Sequence, residues 1–302
     1  MSVAGAQKKS AAFLIKKELR RQWKIVRAGS IARCSRHTCS DPVFIVGCGR
    51  SGTTILGHTL AQHAAIAYLN EPRDYWAAAF PQSDIWTLAA PLRAGKLELD
   101  AADVNAKGRE RIRRCFGYEQ HRHGGNVLLE KLPENAFRLP FLHALFPDAR
   151  YIHVWRHGVE VARSIENKIL AGGWYGTGGY KWKALCDSVR EHAELADLPL
   201  EQLSAFERGL LEWRLSMEVT EPAVARMKPE HHMQVDYANF MEQPHAVIDR
   251  LSHFMGLSSD PMTHEFARAK VRRLSAPGSL DGLSARELRI GGRWLASWQG
   301  YT

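Results

Sequence analysis

The feature that most constrains the fold of this chain is a strand, a glycine-rich turn and a helix between Pro42 and Leu60, with the sequence PVFIVGCGRSGTTILGHTL. Residues 43–46 form a continuous apolar run, which is typical of a parallel strand covered on both faces. The glycines let the turn approach a ligand closely. A helix starting near Gly52 would direct free N–H groups and its positive dipole end at an anion. The segment therefore predicts a site for phosphate or a phosphate-like group.

The turn differs from the loop of nucleotide triphosphatases, which reads GxxxxGK[ST] and uses its lysine on phosphates and its hydroxyl on magnesium. Gly47 and Gly52 have the spacing of the two glycines, but Thr53 stands in the lysine position. Arg50 is the only cation in the loop. The turn is therefore expected to hold a shorter, diester-like anion rather than a metal-bound triphosphate. A glycine-rich turn without a ligand remains the alternative.

The turn resembles the 5′-phosphosulfate loop of sulfotransferases that use 3′-phosphoadenosine 5′-phosphosulfate (PAPS). The resemblance covers about residues 42–302 in scattered motifs and implies a P-loop-NTPase-like sulfotransferase fold. The family usually has proline before the basic residue, where this chain has glycine. By this resemblance, six residues of the turn would bind the donor: Gly49, Arg50, Ser51, Gly52, Thr53 and Thr54.

A second element follows about a hundred residues later. Residues 151–155 predict a strand that delivers Arg156 at its carboxyl end, and a helix from Gly158 would carry Ser164. Ligands of open α/β sheets bind at the carboxyl ends of the strands, so Arg156 is expected on the same rim as the turn. The Arg-to-Ser spacing resembles the family's 3′-phosphate motif, which implies that both residues bind that phosphate. A surface arginine and a helix serine are the alternative.

Two other predicted strands lead into candidate catalytic residues. The strand at 66–69 is stopped by a proline soon afterwards, which leaves Glu71 at the rim, and the strand at 126–130 leads into Lys131. Glu71 resembles the general base of tyrosylprotein and carbohydrate sulfotransferases. Lys131 resembles the lysine of the E-K-[TS]-P stretch of glycan sulfotransferases, although Leu132 stands here in place of the Thr or Ser. By this resemblance, Lys131 would contact the bridging oxygen of the leaving phosphate. A solvated carboxylate and a structural lysine are the alternatives.

These resemblances imply an in-line transfer of a sulfuryl group that depends on positioning and charge stabilisation. Glu71 would take the proton from a hydroxyl or amine, and Arg50 and Lys131 would stabilise the leaving phosphate, so no metal is expected. A glycan or glycolipid hydroxyl is the first choice of acceptor, a small hydroxylated metabolite the second and a peptide tyrosine the third. A kinase-like phosphotransferase remains an alternative, as does an inactive module that binds 3′-phosphoadenosine 5′-phosphate (PAP), the product left when PAPS has lost its sulfuryl group.

Toward the C-terminus, the resemblance adds further candidates for the nucleotide site. The strand predicted at 231–236 is followed by Tyr237, which would face the adenine or lie in the core. Residues 289–294 resemble the segment that closes over the 3′-phosphate, which adds Arg289 and Arg293.

Five predicted strands, at 43–47, 66–69, 126–130, 151–155 and 231–236, alternate with helical stretches, which predicts one α/β domain with a central parallel sheet flanked by helices. Helical insertions at 72–120 and 184–227 are expected to shape the acceptor site. The glycine- and aromatic-rich segment 172–180 is expected to be a mobile lid, with a disordered loop as the alternative.

The positive charge of the chain is concentrated at its N-terminus. Residues 1–36 contain ten Lys or Arg and one acid, a net charge of +9 that equals the net charge of the whole chain. Apolar residues are interleaved with these basic residues, which favours a basic amphipathic arm at 1–40 that contacts an anionic membrane, ahead of a sulfotransferase domain at 41–302. Nucleic acid is disfavoured because the remainder has no basic excess. A helix packed on the domain, and a homodimer, remain open.

The five cysteines are sparse, and one of them, Cys48, lies inside the anion turn. This usage favours a reducing compartment. With no signal peptide or membrane span evident in the sequence, the chain is expected to be a bacterial cytoplasmic enzyme that is peripheral at the membrane.

Overall fold

Five parallel strands form a single sheet in the computed structural model, which describes residues 11–176, 178–193, 195–271 and 283–296. The strands are β1 (Val43–Val46), β2 (Ile66–Asn70), β3 (Val127–Lys131), β4 (Arg150–Trp155) and β5 (His232–Asp236). Their order is β2-β3-β1-β4-β5, and every neighbouring pair is parallel. The five predicted strands and the single α/β domain are thus confirmed.

Helices cover both faces of this sheet. They are α1 (Ala11–Cys34), α2 (Thr53–Leu60), α3 (Arg73–Ala79), α4 (Ala106–His123), α5 (Leu139–Leu145), α6 (Gly158–Leu170), α7 (Tyr180–Glu191), α8 (Ala205–Ala225), α9 (Tyr237–Glu242), α10 (Pro244–Phe254), α11 (Pro261–Lys270) and α12 (Ala285–Ala296). Alternate residues of β1 enter different cores, because side chains of a strand alternate between faces. Phe44 packs with residues of α3 and α4, whereas Ile45 packs with residues of α2 and α10.

The central position of β1 determines where a ligand can bind. β2 and β3 lie on one side of β1, and β4 and β5 lie on the other, so the turn after β1 is at a topological switch point. Lys131 pairs in register with Ile45 of β1 and with Asn70 of β2. The ends of three adjacent strands therefore bring the anion turn, Lys131 and the residues after β2 to one rim.

The N-terminal helix α1 is packed on the domain. It runs along α3 and α4, and Ala28 and Ala32 on its inner face are buried. Within the described ranges, no helix combines the length and the apolar character needed to cross a bilayer.

The predicted insertion at 72–120 contains α3 and α4 with three short 3₁₀ turns between them, and the one at 184–227 contains most of α7 and all of α8. Helix α8 packs along α6 and so supports the helix that carries Ser164.

Candidate active site

The anion turn has a backbone that its sequence explains. Gly52 has a φ of 93°, and a Cβ atom placed there would lie 2.1 Å from the ring of Tyr237, so glycine is required at this position. Arg50 has a φ of 78°, an unusual conformation for a residue with a side chain, and such strain concentrates at functional sites. Ser51 and Thr53 are buried, whereas Arg50 is exposed. Helix α2 begins at Thr53, as predicted.

The structure brings the two predicted anion-binding motifs together. Arg50 Nε donates to Ser164 Oγ at 2.9 Å, and Arg156 Nη1 donates to the carbonyl oxygen of Arg50 at 3.2 Å. The Arg156 guanidinium lies 4.6 Å from the ring centroid of Tyr237. The same guanidinium pairs with Glu160 at 2.5 Å. Two arginines, a hydroxyl and a tyrosine ring thus surround the mouth of the turn.

The two predicted catalytic residues are in direct contact. Lys131 Nζ donates to Glu71 Oε1 at 2.6 Å, and the Lys131 side chain is fully buried. Glu71 is the first residue after β2 and has a φ of 56°, a second strained position in the same site. The carboxylate also accepts a short hydrogen bond from Arg73 Nη1. Two cations therefore hold the Glu71 carboxylate at the sheet rim.

This pairing sets the proton affinity of Glu71. Partial burial opposes ionisation, but Arg73 and Lys131 outweigh it and lower the pKa of Glu71 to about 2. The carboxylate is therefore ionised at neutral pH but is a weak base while both cations remain in place. Removal of either cation would raise the pKa of Glu71 and make it a stronger base.

Arg73, Glu134 and Trp86 form a supporting network that the sequence patterns did not indicate. Arg73 Nη2 donates to Glu134 Oε1 at 3.1 Å, and Trp86 Nε1 donates to the same oxygen at 2.6 Å. The Arg73 guanidinium lies 4.4 Å from the ring centroid of Trp86. Although burial of Glu134 opposes ionisation, Arg73 and then Lys181 lower its pKa. One sequence signal could have indicated Arg73 and Glu134, because each directly follows a proline near the end of a strand.

A cavity of about 360 Å³ opens beside this network. Its walls include two tryptophans, several charged residues and part of the N-terminal helix. They are Arg21, Lys24, Ile25, Glu71, Arg73, Asp74, Ala77, Asp84, Trp86, Thr87, Pro133, Glu134, Gly173, Trp174 and Lys181. The cavity is large enough for a small ligand group and has the Glu71 carboxylate in its wall.

Trp174, from the segment predicted as a lid, joins the cavity to the anion turn. A Cβ atom on Gly49 would lie 2.7 Å from Cη2 of Trp174, which explains why glycine occupies the position where the resembling loop has proline. Trp174 Nε1 donates to Glu212 at 2.7 Å, and Lys181 Nζ donates to the other oxygen of Glu212 at 2.6 Å. A buried ion pair thus fixes the Trp174 ring between the cavity and the anion turn.

The remaining predicted residues are placed less completely. Arg289 is exposed on α12, a helix attached to α8 by an ion pair between Arg286 and Glu207, and it is not among the side chains that contact the turn in the described part of the chain. Arg293 lies in the same helix, but its side chain falls outside the described residues. Thr54 lies exposed in the first turn of α2. The role of all three in nucleotide binding stays a prediction.

Comparison with known proteins identifies the family. A family model described as Sulfotransferase family matches residues 42–261, more than half of the chain. Nodulation protein NoeE of Sinorhizobium fredii is 28% identical over 267 residues, which cover 85% of this chain. The chain spans 59% of the length of that relative. A sulfotransferase domain from the curacin biosynthetic pathway superposes over 88% of this chain and 99% of its own, with a TM-score of 0.51 and 16% identity, which supports the same fold. This chain belongs to the sulfotransferase family.

Proposed function

We propose that the protein transfers a sulfuryl group from PAPS to a hydroxyl or amine of a glycan, glycolipid or small metabolite and releases PAP. The observation that carries this proposal is the contact between Glu71 and Lys131 on the rim that also holds the anion turn. In-line sulfuryl transfer requires two groups of a protein: one that accepts the proton of the attacking hydroxyl or amine, and a cation that stabilises the leaving group.

The donor would occupy the mouth of the turn. The backbone N–H groups of residues 49–54 and the Arg50 guanidinium would bind the 5′-phosphosulfate, since α2 directs its N-terminus there. Arg156 and Ser164 would bind the 3′-phosphate, because a guanidinium fork suits phosphate and both groups lie at this mouth. The Tyr237 ring, already stacked on Arg156, would border the adenine.

The chemistry would use an exchange of partners by Lys131. In the structure its ammonium is bonded to Glu71; when the donor is bound, the ammonium would turn to the oxygen that links phosphate to sulfate. Loss of this cation raises the pKa of Glu71, which then accepts the acceptor's proton. The acceptor oxygen or nitrogen forms a bond to sulfur, the bond between sulfur and the bridging oxygen breaks, and PAP leaves with the electron pair.

The acceptor would enter the cavity beside Glu71. The Trp86 and Trp174 rings offer apolar faces, while Glu134 and Lys181 add polar groups, a combination suited to a sugar-like acceptor. A kinase-like transfer is disfavoured because Thr53 replaces the lysine that a triphosphate requires.

The test is a transfer assay with sulfur-labelled PAPS and a panel of hydroxylated acceptors, run beside γ-labelled ATP. The proposal expects acceptor-dependent formation of PAP and of a labelled product from PAPS, and no transfer from ATP. Transfer of phosphate from ATP would contradict it in favour of a kinase. PAP binding without turnover on any acceptor would contradict it in favour of an inactive binding module.

A further inference from the structure

Helix α1 has an outer face that is covered by nothing else in the described part of the chain. Ile15, Leu19, Trp23 and Val26 are each 60–66% exposed. Their spacing of four, four and three residues places them in one line along the helix. An exposed line of four large apolar side chains is unusual for a free surface and marks a contact surface.

Basic residues run beside this apolar line. Lys16, Arg20, Lys24 and Arg27 are all exposed and follow the same helical spacing. The single acid of residues 1–36, Glu18, is turned away, because its Oε1 accepts hydrogen bonds from Gln22 and from the backbone N–H of Leu88. The outer face of α1 thus combines an apolar line with a basic row, and the C-terminal members of that row, Lys24 and Arg27, lie near the Asp74 carboxylate.

The inner edge of the same helix belongs to the acceptor site. Arg21 and Ile25 on this edge line the cavity that holds Glu71, together with Lys24 of the basic row, and Arg21 Nη1 donates to the carbonyl oxygen of Trp86 at 2.9 Å. One helix therefore forms both a wall of the cavity and the apolar, basic surface next to it. Anything that binds the outer face is held beside the cavity.

We propose that the outer face of α1 docks on an anionic bilayer, and that the cavity takes the hydroxylated head group of an amphiphile embedded in that bilayer. An interfacial helix combines apolar residues that enter the lipid boundary with basic residues that attract anionic head groups, and α1 presents both. This inference rests on the proposed function for the reaction at Glu71, and it adds the physical state of the acceptor.

A second copy of the chain is the competing occupant of this face. In a two-fold interface the same patch meets itself, so the basic α1 helices of the two copies would be brought face to face. Such a pairing brings like charges together, whereas an anionic lipid surface complements them. Charge complementarity therefore favours the bilayer.

Vesicle binding tests the docking surface with substitutions rather than deletion, because α1 also buries Ala28 and Ala32 against the domain. The test variant is Leu19→Ser/Trp23→Ser/Val26→Ser, and the control is Leu170→Ser/Met262→Ser, which changes residues that are 67% and 55% exposed on α6 and α11. The parent and the control should sediment with phosphatidylglycerol vesicles, less so as salt rises, and not with phosphatidylcholine vesicles. The triple variant should bind at least about tenfold more weakly. A parent that does not bind, or a triple variant that binds as well as the parent, overturns the proposal.

The transfer assay then tests the coupling to the cavity. Acceptors with one sugar head group are offered on a short alkyl chain in solution or on a long chain in phosphatidylglycerol vesicles. The triple variant should lose about tenfold or more of its rate on the vesicle acceptor while keeping the parent rate on the soluble one. Equal losses on both acceptors, or conversion of a dimeric parent to a monomer without a change in vesicle binding, overturn the proposal. A parent that binds vesicles but transfers nothing from PAPS to either acceptor would instead contradict the proposed function.

Discussion

The two halves of the site are built in different ways. The proposed donor half lies at the ends of β1 and β4, where Arg50 donates a hydrogen bond to Ser164 and Arg156 donates one to the backbone carbonyl of Arg50. The proposed acceptor half draws Glu71 from the end of β2, Trp86 from the insertion at 72–120 and Trp174 from the glycine- and aromatic-rich segment 172–180. The donor half is therefore encoded in local strand–turn–helix motifs, whereas the acceptor half exists only after the insertions have folded onto the sheet.

Their electrostatics differ in the same way. In the acceptor half, charges alternate from Lys131 to Glu71, Arg73 and Glu134, so each is balanced without a ligand. In the donor half, Arg156 is paired with Glu160, but the exposed guanidinium of Arg50 has a hydroxyl as its partner. On the proposed function, Arg50 would receive the anionic donor, and the acceptor half would hold its base in place until the donor arrives.

The largest expected effect separates chemistry from donor binding. Glu71→Gln should reduce turnover roughly 10²–10⁴-fold, the usual contribution of a general base, because the amide cannot accept the proton. Its affinity for PAP should remain close to that of the parent, since PAP contacts the other half of the site. Single-turnover kinetics and calorimetry measure the two quantities.

Glu110→Gln, on the exposed surface of α4, is the matched control and should behave as the parent. Full activity of Glu71→Gln across the pH range would assign the base to another residue.

A backbone substitution should damage the donor half selectively. Gly52→Ala introduces a Cβ atom 2.1 Å from the Tyr237 ring at a φ of 93°, so the turn must distort. PAP affinity should fall about tenfold or more, because left-handed backbone costs an alanine about 1–2 kcal/mol before any clash. Gly52→Ala/Tyr237→Ala should recover only part of this loss, because the backbone strain remains. Parent-like PAP binding by Gly52→Ala would show that the donor does not use this turn.

The supporting network should act through the pKa of Glu71. Arg73→Gln alone would leave the buried Glu134 without the guanidinium that forms an ion pair with it, so the informative variant is Arg73→Gln/Glu134→Gln. Removal of the Arg73 charge makes the Glu71 carboxylate less stable, so its pKa should rise from about 2 by roughly 1–3 units. The acidic limb of the pH profile of kcat/KM should therefore move to higher pH by the same amount, which brings it into the measurable range. An unchanged limb with a uniform loss of rate would indicate a purely structural role.

The smallest effect concerns the contact between the halves. Gly49→Ala should destabilise the fold by roughly 1–3 kcal/mol, because its Cβ atom would lie 2.7 Å from the Trp174 ring. In a Trp174→Ala background the same substitution should cost much less, and thermal or denaturant unfolding of the four proteins gives the coupling energy. Equal costs in both backgrounds would contradict the packing of Trp174 on the turn.

The sequence predicted the location of the proposed donor half well, because the residues concerned follow strands that are recognisable from short apolar runs. Since the strand ends of a parallel sheet meet at one rim, the apolar runs alone were enough to predict that Arg50 and Arg156 lie close together. Glu71 and Lys131 were predicted for the same reason. Lys131 is positioned by the register of β3 against β1 and β2, and Glu71 directly follows Asn70, the β2 residue that pairs with Lys131.

The acceptor half was predicted less completely, because its contacts depend on long-range packing. Nothing in a local pattern indicates that Glu134 bonds to both Arg73 and Trp86, or that Trp174 rests on Gly49. The N-terminal helix shows the same limit. Its charge was evident from composition, but its place in the wall of the cavity depends on packing against α3 and α4.

The most direct test of the central claim, that the donor half is a PAPS site, is a calorimetric titration with PAP and with 5′-AMP. If Arg156 and Ser164 bind the 3′-phosphate, PAP should bind the parent at least about tenfold more tightly than AMP, since a charge-assisted hydrogen bond contributes about 1.5–3 kcal/mol. Arg156→Ala should remove most of that preference and leave AMP binding nearly unchanged. Equal affinity of the parent for PAP and AMP would contradict the account.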